Sequence, residues 1–281
     1  MRFYKIKSFA KLNISLNVIK KIPKKKHIIE SLITFVDLHD LIYIRQIKSP
    51  KHKVKFIGKF SKNIRNNTVD KLLNILDKKK FLKEKKFEII ISKHIPQKSG
   101  MGGGSINASR ILNFFLKKRH LNLNKKMVHD VLKKIGSDAP LGIDIKNTIL
   151  TKNNKLIRIK KKLGLFALIT KPKFGCSTKT IYMKSKSRSR SKYTIRGTDL
   201  FSKTNIIKSN NDLEETAFKL YPQLRSLKFF LNTLPKVMFV RMSGSGSSIV
   251  AYFSTKKKAL YGLKLFKRKY KSYWCSVSKT I

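Results

Sequence analysis

Residues 96–109 read Pro-Gln-Lys-Ser-Gly-Met-Gly-Gly-Gly-Ser-Ile-Asn-Ala-Ser, and this stretch constrains the fold more than any other. It holds four of the chain's 13 glycines: Gly100, Gly102, Gly103 and Gly104. The run Phe87-Glu88-Ile89-Ile90-Ile91 ahead of it predicts a strand. Behind it, Ala108, Ile111, Leu112, Phe115 and Leu116 recur at helical spacing and predict a helix over about 107–119. Strand, glycine loop and helix start together favour an anion. Glycine lets the backbone approach a charged oxygen, and the first N–H groups of a helix lack intrahelical partners. The local pattern alone leaves a plain glycine-rich connector as the alternative. It is neither a Walker A loop, since no Gly-Lys-Ser/Thr follows, nor a dinucleotide fingerprint, since Gly-x-Gly-x-x-Gly fails.

The chain is large enough for two ordinary domains, with 41% apolar residues for their cores. Lys and Arg number 66 against 14 Asp and Glu, a net charge of +52. An anionic partner is one reading of that excess. The basic residues are spread along the whole chain, however, so lysine reads as the default surface residue and no specific nucleic-acid partner is expected. Cys176 and Cys275 are too few and too far apart for a disulfide framework, which fits a reducing cytosol. Lys5, Lys7 and Lys11 interrupt the apolar residues at the N-terminus, and no uncharged apolar stretch is long enough to span a bilayer. The expectation is a cytoplasmic protein with no membrane partner.

Strands are expected within 3–18, at 31–36, 41–44, 165–169, 237–240 and 249–253, and near 273–277. Helices are expected at 68–76, 125–135, 213–220, 224–231 and 259–266, with Gly136 as a stop signal. Residues 184–192 alternate Lys or Arg with Ser and read as a mobile loop. This mixture gives an α+β class, with a boundary near residue 155 separating domains 1–155 and 156–281.

Three further features invite chemistry. Lys11 sits within an apolar strand-like run, where it is either a snorkelling surface lysine or a buried cation. Asp138 occupies the tight sequence Gly136-Ser137-Asp138-Ala139-Pro140, either as a helix N-cap or as a general base. Ser243-Gly244-Ser245-Gly246-Ser247-Ser248 is either a hairpin or a second phosphate-facing nest.

In chain order, Ala10-Lys11-Leu12-Asn13, the 96–109 loop, the 136–140 turn and the 243–248 turn resemble the GHMP small-molecule kinases, named for galactokinase, homoserine kinase, mevalonate kinase and phosphomevalonate kinase. The triple glycine with Ser-x-Asn-Ala, the opening Ala-Lys-Leu-Asn and Gly-Ser-Asp-Ala-Pro point to the branch acting on 4-diphosphocytidyl-2-C-methyl-D-erythritol. The resemblance implies a ribosomal-protein-S5-like N-terminal half and a ferredoxin-like C-terminal half. It implies ATP-dependent phosphorylation of that substrate's 2-hydroxyl in the non-mevalonate isoprenoid pathway, with ATP and Mg2+ as cofactors. It implies Asp138 as the base and Lys11 as its partner.

The resemblance also places the ATP phosphates on Pro96, Gln97, Lys98, Ser99, Gly100, Met101, Gly102, Gly103, Gly104, Ser105, Ile106 and Asn107, with Asn67 and Lys93 as nucleotide contacts. Asn13, His27, Thr178, Tyr182, Gly244 and Ser245 are implied to meet the cytidyl substrate, and no protein metal ligand is implied. A monomer or weak homodimer is expected. This chain departs from the pattern at Lys26, where the branch carries an aromatic stacking residue, and at Lys98 and Ser99, which replace small glycine-like residues. Ile106 replaces the second serine of Gly-Ser-Ser-Asn. Two rivals are a related kinase acting on an alcohol such as homoserine, and an RNA-binding protein using an S5-like half.

Overall fold

A computed structural model of the chain describes residues 2–22, 27–64, 67–186, 188–193 and 200–281; Lys26 lies outside the described residues. In chain order the elements are β1 (Tyr4–Asn13), β2 (Asn17–Lys20), β3 (Ile28–Ile47), β4 (Lys53–Ile57), α1 (Thr68–Lys78), β5 (Lys86–Ser92), α2 (Gly103–Lys117), α3 (Lys125–Ile135), a 3-10 helix (Ala139–Ile143), β6 (Asn147–Leu150), β7 (Leu156–Ile159), β8 (Phe166–Lys171), α4 (Thr178–Lys184), α5 (Lys203–Lys208), α6 (Glu214–Leu220), α7 (Pro222–Asn232), β9 (Phe239–Met242), β10 (Ile249–Phe253), α8 (Lys256–Lys269) and β11 (Trp274–Lys279). They fall into two compact units. One holds Met1–Ala10, Leu38–Gln97 and Gly102–Ile145; the other holds Lys11–Asp37, Lys98–Met101 and Lys146–Ile281.

In the first unit β5 alternates cleanly. Phe87, Ile89 and Ile91 are buried, while Glu88 pairs with Arg45. This period of two places one face of the strand on the helices. β5 pairs antiparallel with the second half of β3 and parallel with β4. The core behind it packs Val69, Leu72, Leu73 and Leu76 of α1 against Ile111, Leu112 and Phe115 of α2 and Val131, Leu132 and Ile135 of α3. α2 begins at Gly103, four residues earlier than the apolar spacing predicts. Two glycines in a helix cost about 1 kcal/mol each. Burying Ile106, Ile111, Leu112 and Phe115 contributes about 1.5–3 kcal/mol apiece, so packing carries the helix back through its glycines.

In the second unit β8, β9, β10 and β11 form an antiparallel sheet in the order β11-β8-β10-β9. α4 to α7 cross between β8 and β9, and α8 crosses between β10 and β11. Numbering these strands one to four gives the order four-one-three-two of a ferredoxin-like layer, as expected for this half. Its core joins Leu224, Leu227 and Leu231 of α7 and Ala259 and Phe266 of α8 to Ile249, Ala251 and Phe253 of β10. The first half of β3 also lies in this unit and pairs with β2 and β6.

Two expectations need correction. The separate strands at 31–36 and 41–44 are one continuous strand, β3, because residues 37–40 keep extended backbone through the polar stretch Asp37-Leu38-His39-Asp40. The basic segment 184–192, expected as a mobile loop, is irregular after Lys184 and tied down by hydrogen bonds where it is described. Lys184 ends α4, Ser189 N–H donates to Val18 O at 2.9 Å, and Ser191 Oγ donates to Glu30 Oε1 at 2.6 Å. The serines that suggested mobility are the groups that anchor the segment.

Buried carboxylates recur as backbone anchors. Glu30 accepts from Lys192 and Tyr193 N–H, and Asp40 accepts from His94 and Ile95 N–H. Asp212 accepts from Val18 N–H, and Glu214 accepts from Met242 N–H. These four are the buried acids among the described residues. No helix among those residues is long and apolar enough to cross a membrane.

Candidate active site

The loop between β5 and α2 ends on Gly102, the residue preceding α2, in a left-handed conformation (φ 69°) that glycine adopts without strain. Having no side chain, Gly102 contributes no side-chain cap to the helix. The first intrahelical bond is Ile106 N–H to Gly102 O at 2.9 Å. The amides of Gly103, Gly104 and Ser105 therefore precede the helical ladder, the arrangement in which an anion serves as the cap. Ile106 points its side chain into the core and commits its N–H to that first bond.

A polar node lies beside the loop. Asp40 is fully buried at the end of the polar stretch of β3. Its Oδ1 accepts from His94 N–H and Ile95 N–H, both at 2.8 Å, and its Oδ2 accepts from Asn107 Nδ2 at 2.9 Å and pairs with Lys93 Nζ. Lys93 is thus a buried cation committed to Asp40. Asn67 is likewise occupied: its Oδ1 caps α1 through Val69 and Asp70 N–H, and its Nδ2 donates to Asp70. Gln97 Nε2 donates to Phe60 O and Lys62 O at 3.0 and 2.8 Å, tying down the start of the loop.

The turn carrying Asp138 is fixed to α2 within the same unit. Ser109 Oγ donates to Ala139 O, and a Cβ added to Gly142 would stand only 2.7 Å from Ser109 Cβ. A Cβ on Gly136 would stand 3.0 Å from Ser105 Oγ, so the residue two before Asp138 touches the first turn of α2. Asp138 precedes the 3-10 helix but gives it no side-chain cap. The capping alternative for this carboxylate does not hold.

In the second unit, Lys11 is buried on β1 and its Nζ donates to Asn13 Oδ1 at 2.6 Å. Asn13 Nδ2 donates to Ser31 Oγ at 2.7 Å, and Ser31 Oγ donates to Ser15 O at 2.5 Å. This relay fixes the Asn13 amide and through it the lysine. Snorkelling to solvent is excluded for Lys11. The 243–248 turn closes on the same group: Asn13 N–H donates to Ser243 Oγ at 3.2 Å, and Ser243 Oγ donates to Gly100 O at 3.1 Å. A Cβ on Gly244 would lie 3.4 Å from Asn13 Oδ1 and 3.6 Å from Lys11 Nζ. Lys11 N–H donates to Met101 O. Ser247 and Ser248 N–H reach Lys98 O and Ser99 O at 3.4 Å. Lys98 takes a left-handed φ of 49° where glycine is the unstrained choice, and its side chain packs on Gly175.

A second cluster holds the residues expected near cytidine. His27 and Tyr182 rings lie 5.5 Å apart, and Thr178 Oγ1 meets Ser245 Oγ at 2.7 Å. His27 Nδ1 accepts from Ile22 N–H at 3.3 Å, so Nε2 carries the proton and donates to Tyr182 O at 3.1 Å. Nearby Cys176 is buried, and burial pushes its thiol up to about 11, with Lys171 offsetting only part of the rise. It is not a nucleophile.

The first unit thus gathers Asp138, Ser105, the α2 amides, Lys93 and Asn107, and the second gathers Lys11, Asn13, Gly100, Met101 and Gly244. Sequence reasoning missed Asp40 and Ser31, and reached Ser243 only as part of the 243–248 turn. In a chain with only 14 acids, an acid after a strongly apolar strand was the available signal for Asp40.

Comparison with known proteins identifies the family. The GHMP kinases N terminal domain matches residues 67–145, which span α1, the glycine loop and the Asp138 turn. A 4-diphosphocytidyl-2-C-methyl-D-erythritol kinase of Pelagibacter ubique is 49% identical over 282 residues, covering 100% of both chains. Among solved structures, a 4-(cytidine 5'-diphospho)-2C-methyl-D-erythritol kinase matches with a TM-score of 0.79 at 19% identity, covering 98% of this chain and 99% of its own. A homoserine kinase from Cytophaga hutchinsonii matches at 0.68 with 16% identity, covering 99% and 94%. These two structural matches establish the fold alone. On the full-length sequence identity, the chain belongs to the 4-diphosphocytidyl-2-C-methyl-D-erythritol kinases, a branch of the GHMP kinases.

Proposed function

We propose that the chain transfers the γ-phosphoryl group of ATP to the 2-hydroxyl of 4-diphosphocytidyl-2-C-methyl-D-erythritol in the non-mevalonate isoprenoid pathway. The observation that carries the reading is the packing of the Asp138 turn on the first turn of α2 through Gly136 and Ser105. It sets the turn that carries Asp138 against the helix start whose first amides suit phosphate.

The amides of Gly103, Gly104 and Ser105 and the loop from Pro96 to Gly102 hold the ATP phosphates, and Asn67 and Lys93 line the nucleotide side while keeping their bonds to α1 and to Asp40. Asp138 takes the proton of the 2-hydroxyl as its oxygen bonds to the γ-phosphorus. The bond from that phosphorus to the bridging oxygen breaks, and ADP leaves with the electron pair. Lys11, its amine held by Asn13, has the role of supplying positive charge to the reacting oxygens. Asn13 and Gly244 meet the methylerythritol. Tyr182, beside His27, stacks on the cytosine, while Thr178 and Ser245 bind the cytidyl portion as a hydrogen-bonded pair. His27 holds both ring nitrogens on backbone groups, so its ring contributes by stacking and position.

Mg2+ fits this donor set. Among the described residues no group of three His, Cys, Asp or Glu side chains forms an ion cage. The hard oxygen donors at hand are the Ser105 hydroxyl and the Asp138 carboxylate, which suit an ion held mostly by phosphate and water. When bound, Mg2+ neutralises charge on the phosphate oxygens. Ser105 takes the place of the serine lost at Ile106. The protein works in the cytoplasm as a monomer or weak homodimer, with the ATP-binding part mostly within residues 1–155 and the substrate part mostly within 156–281, while 11–37, 98–101 and 146–155 group with the latter.

An ADP-release assay with the cytidyl alcohol, homoserine and mevalonate in parallel tests the reading. Turnover should be confined to the cytidyl alcohol; faster turnover of homoserine would transfer the chain to another GHMP activity.

A further inference from the structure

We infer that Asp40 is the positioning residue that fixes the spacing between the two ends of the glycine loop; the inference rests on that loop holding the ATP phosphates. One carboxylate gathers both flanks. On the entry side, Oδ1 accepts from the last two amides before the loop, His94 and Ile95. Pro96 follows, which has no N–H and a restricted φ, so the direction of entry is set where Asp40 grips. On the exit side, Oδ2 accepts from Asn107 Nδ2, in the second turn of α2. Asn107 is buried and its Oδ1 has no hydrogen-bond partner among the described residues, so its amide is oriented through Asp40. Lys93, on the residue before His94, completes the node as the counter-charge.

The chemistry requires a carboxylate at this position. It offers only acceptors, and all four neighbours present donors. An amide would turn its NH2 toward Lys93 and Asn107 and leave a buried ammonium without its counter-ion. Because Asp40 is fully buried, it does not touch substrate. It acts through the relative position of residues 94–95 and the α2 amides, which decides whether those amides converge on one phosphate.

The test uses the full chain and a fluorescent ATP analogue, mant-ATP, titrated directly so that the readout does not depend on which alcohol is phosphorylated. D40N should raise the mant-ATP Kd at least fivefold while the KM for the alcohol stays within twofold of the parent. The D40N/N107D swap returns a carboxylate to the node, while the carbonyl oxygen of the introduced amide still accepts from the two backbone N–H groups, and should bring the Kd back to within threefold. A folded D40N with unchanged Kd, or with Kd and alcohol KM rising together, overturns the inference, because a general structural role moves both sites or neither. If D40N alone does not fold, the swap decides: soluble protein with Kd within threefold supports the assignment, and insoluble protein or a larger rise overturns it. A parent chain that binds no mant-ATP refutes the phosphate-loop reading itself, which separates the two failures.

Discussion

Gly100 offers the sharpest test of how the glycine loop is held. It has φ 74°, and a Cβ built on it would stand 2.1 Å from Ser243 O and 3.0 Å from Gly246 O. Alanine there combines two penalties. The left-handed backbone costs an L-residue about 1–2 kcal/mol. Forcing a methyl against a carbonyl that already accepts from Gly246 N–H adds about 1–3 kcal/mol of overpacking. The gain from a stiffer unfolded chain returns at most about 1 kcal/mol. Gly164→Ala is the matched control: its φ is 64° and nothing lies within 4 Å of the added Cβ, so only the backbone penalty applies. Gly100→Ala should therefore lose at least about 1 kcal/mol more than Gly164→Ala, the lower end of the overpacking range. The loss appears as a lower urea midpoint if the loop stays in place. It appears as a raised ATP KM, about fivefold or more, if the loop retreats from the 243–248 turn. Gly164→Ala should keep the parent's KM. Identical behaviour of the two variants in both assays would refute the close approach of Gly100 to the Ser243 carbonyl.

Asp138→Asn should keep the urea midpoint and mant-ATP affinity and lower kcat about a hundredfold or more, the usual contribution of a general base; a normal rate would remove the assignment. Lys11→Met should lower kcat more than it raises either KM, and an effect on KM alone would make Lys11 a binding group. Cys176, with its thiol raised to about 11, should resist iodoacetamide at about pH 8 in the native protein and react in urea, as followed by peptide mass; rapid native labelling would contradict its burial. Burial lowers His52 below its ordinary 6.5 despite Asp77, so on acidification the unfolded chain takes up that proton first. The stability it contributes is full above 6.5 and is lost as pH falls toward the folded-state value. The urea midpoint should drop between about pH 7.5 and 5.5, and His52→Gln should flatten that drop.

Local periodicity made much of the architecture legible. α3 spans 125–135 as its apolar spacing predicts, and β5 shows the alternation its sequence implies. Legibility failed where tertiary packing overrides local preference. Gly103 and Gly104 read as loop but begin a helix, because the residues after them are buried too deeply for the helix to start later. Asp37-Leu38-His39-Asp40 reads as a break but continues a strand, since Asp37 accepts from Lys279 N–H of β11 and Asp40 from the amides ahead of the glycine loop. At the site, the motifs marked Lys11, Asn13 and Asp138, because short segments carry them. Asp40 and Ser31 escaped because their partners lie far along the chain, where no local pattern points to them.

The four buried acids that grip main-chain amides suggest what limits drift toward lysine in a chain with only 14 carboxylates. A surface glutamate can be exchanged for lysine because water solvates either head group. Glu30, Asp40, Asp212 and Glu214 cannot, because inverting the charge would set an ammonium against the N–H groups they bind. These positions mark a floor beneath which the acid content of the chain cannot fall while the same backbone is kept. A survey converting each acid in turn to lysine should sort into tolerated surface positions and a small intolerant set centred on these four.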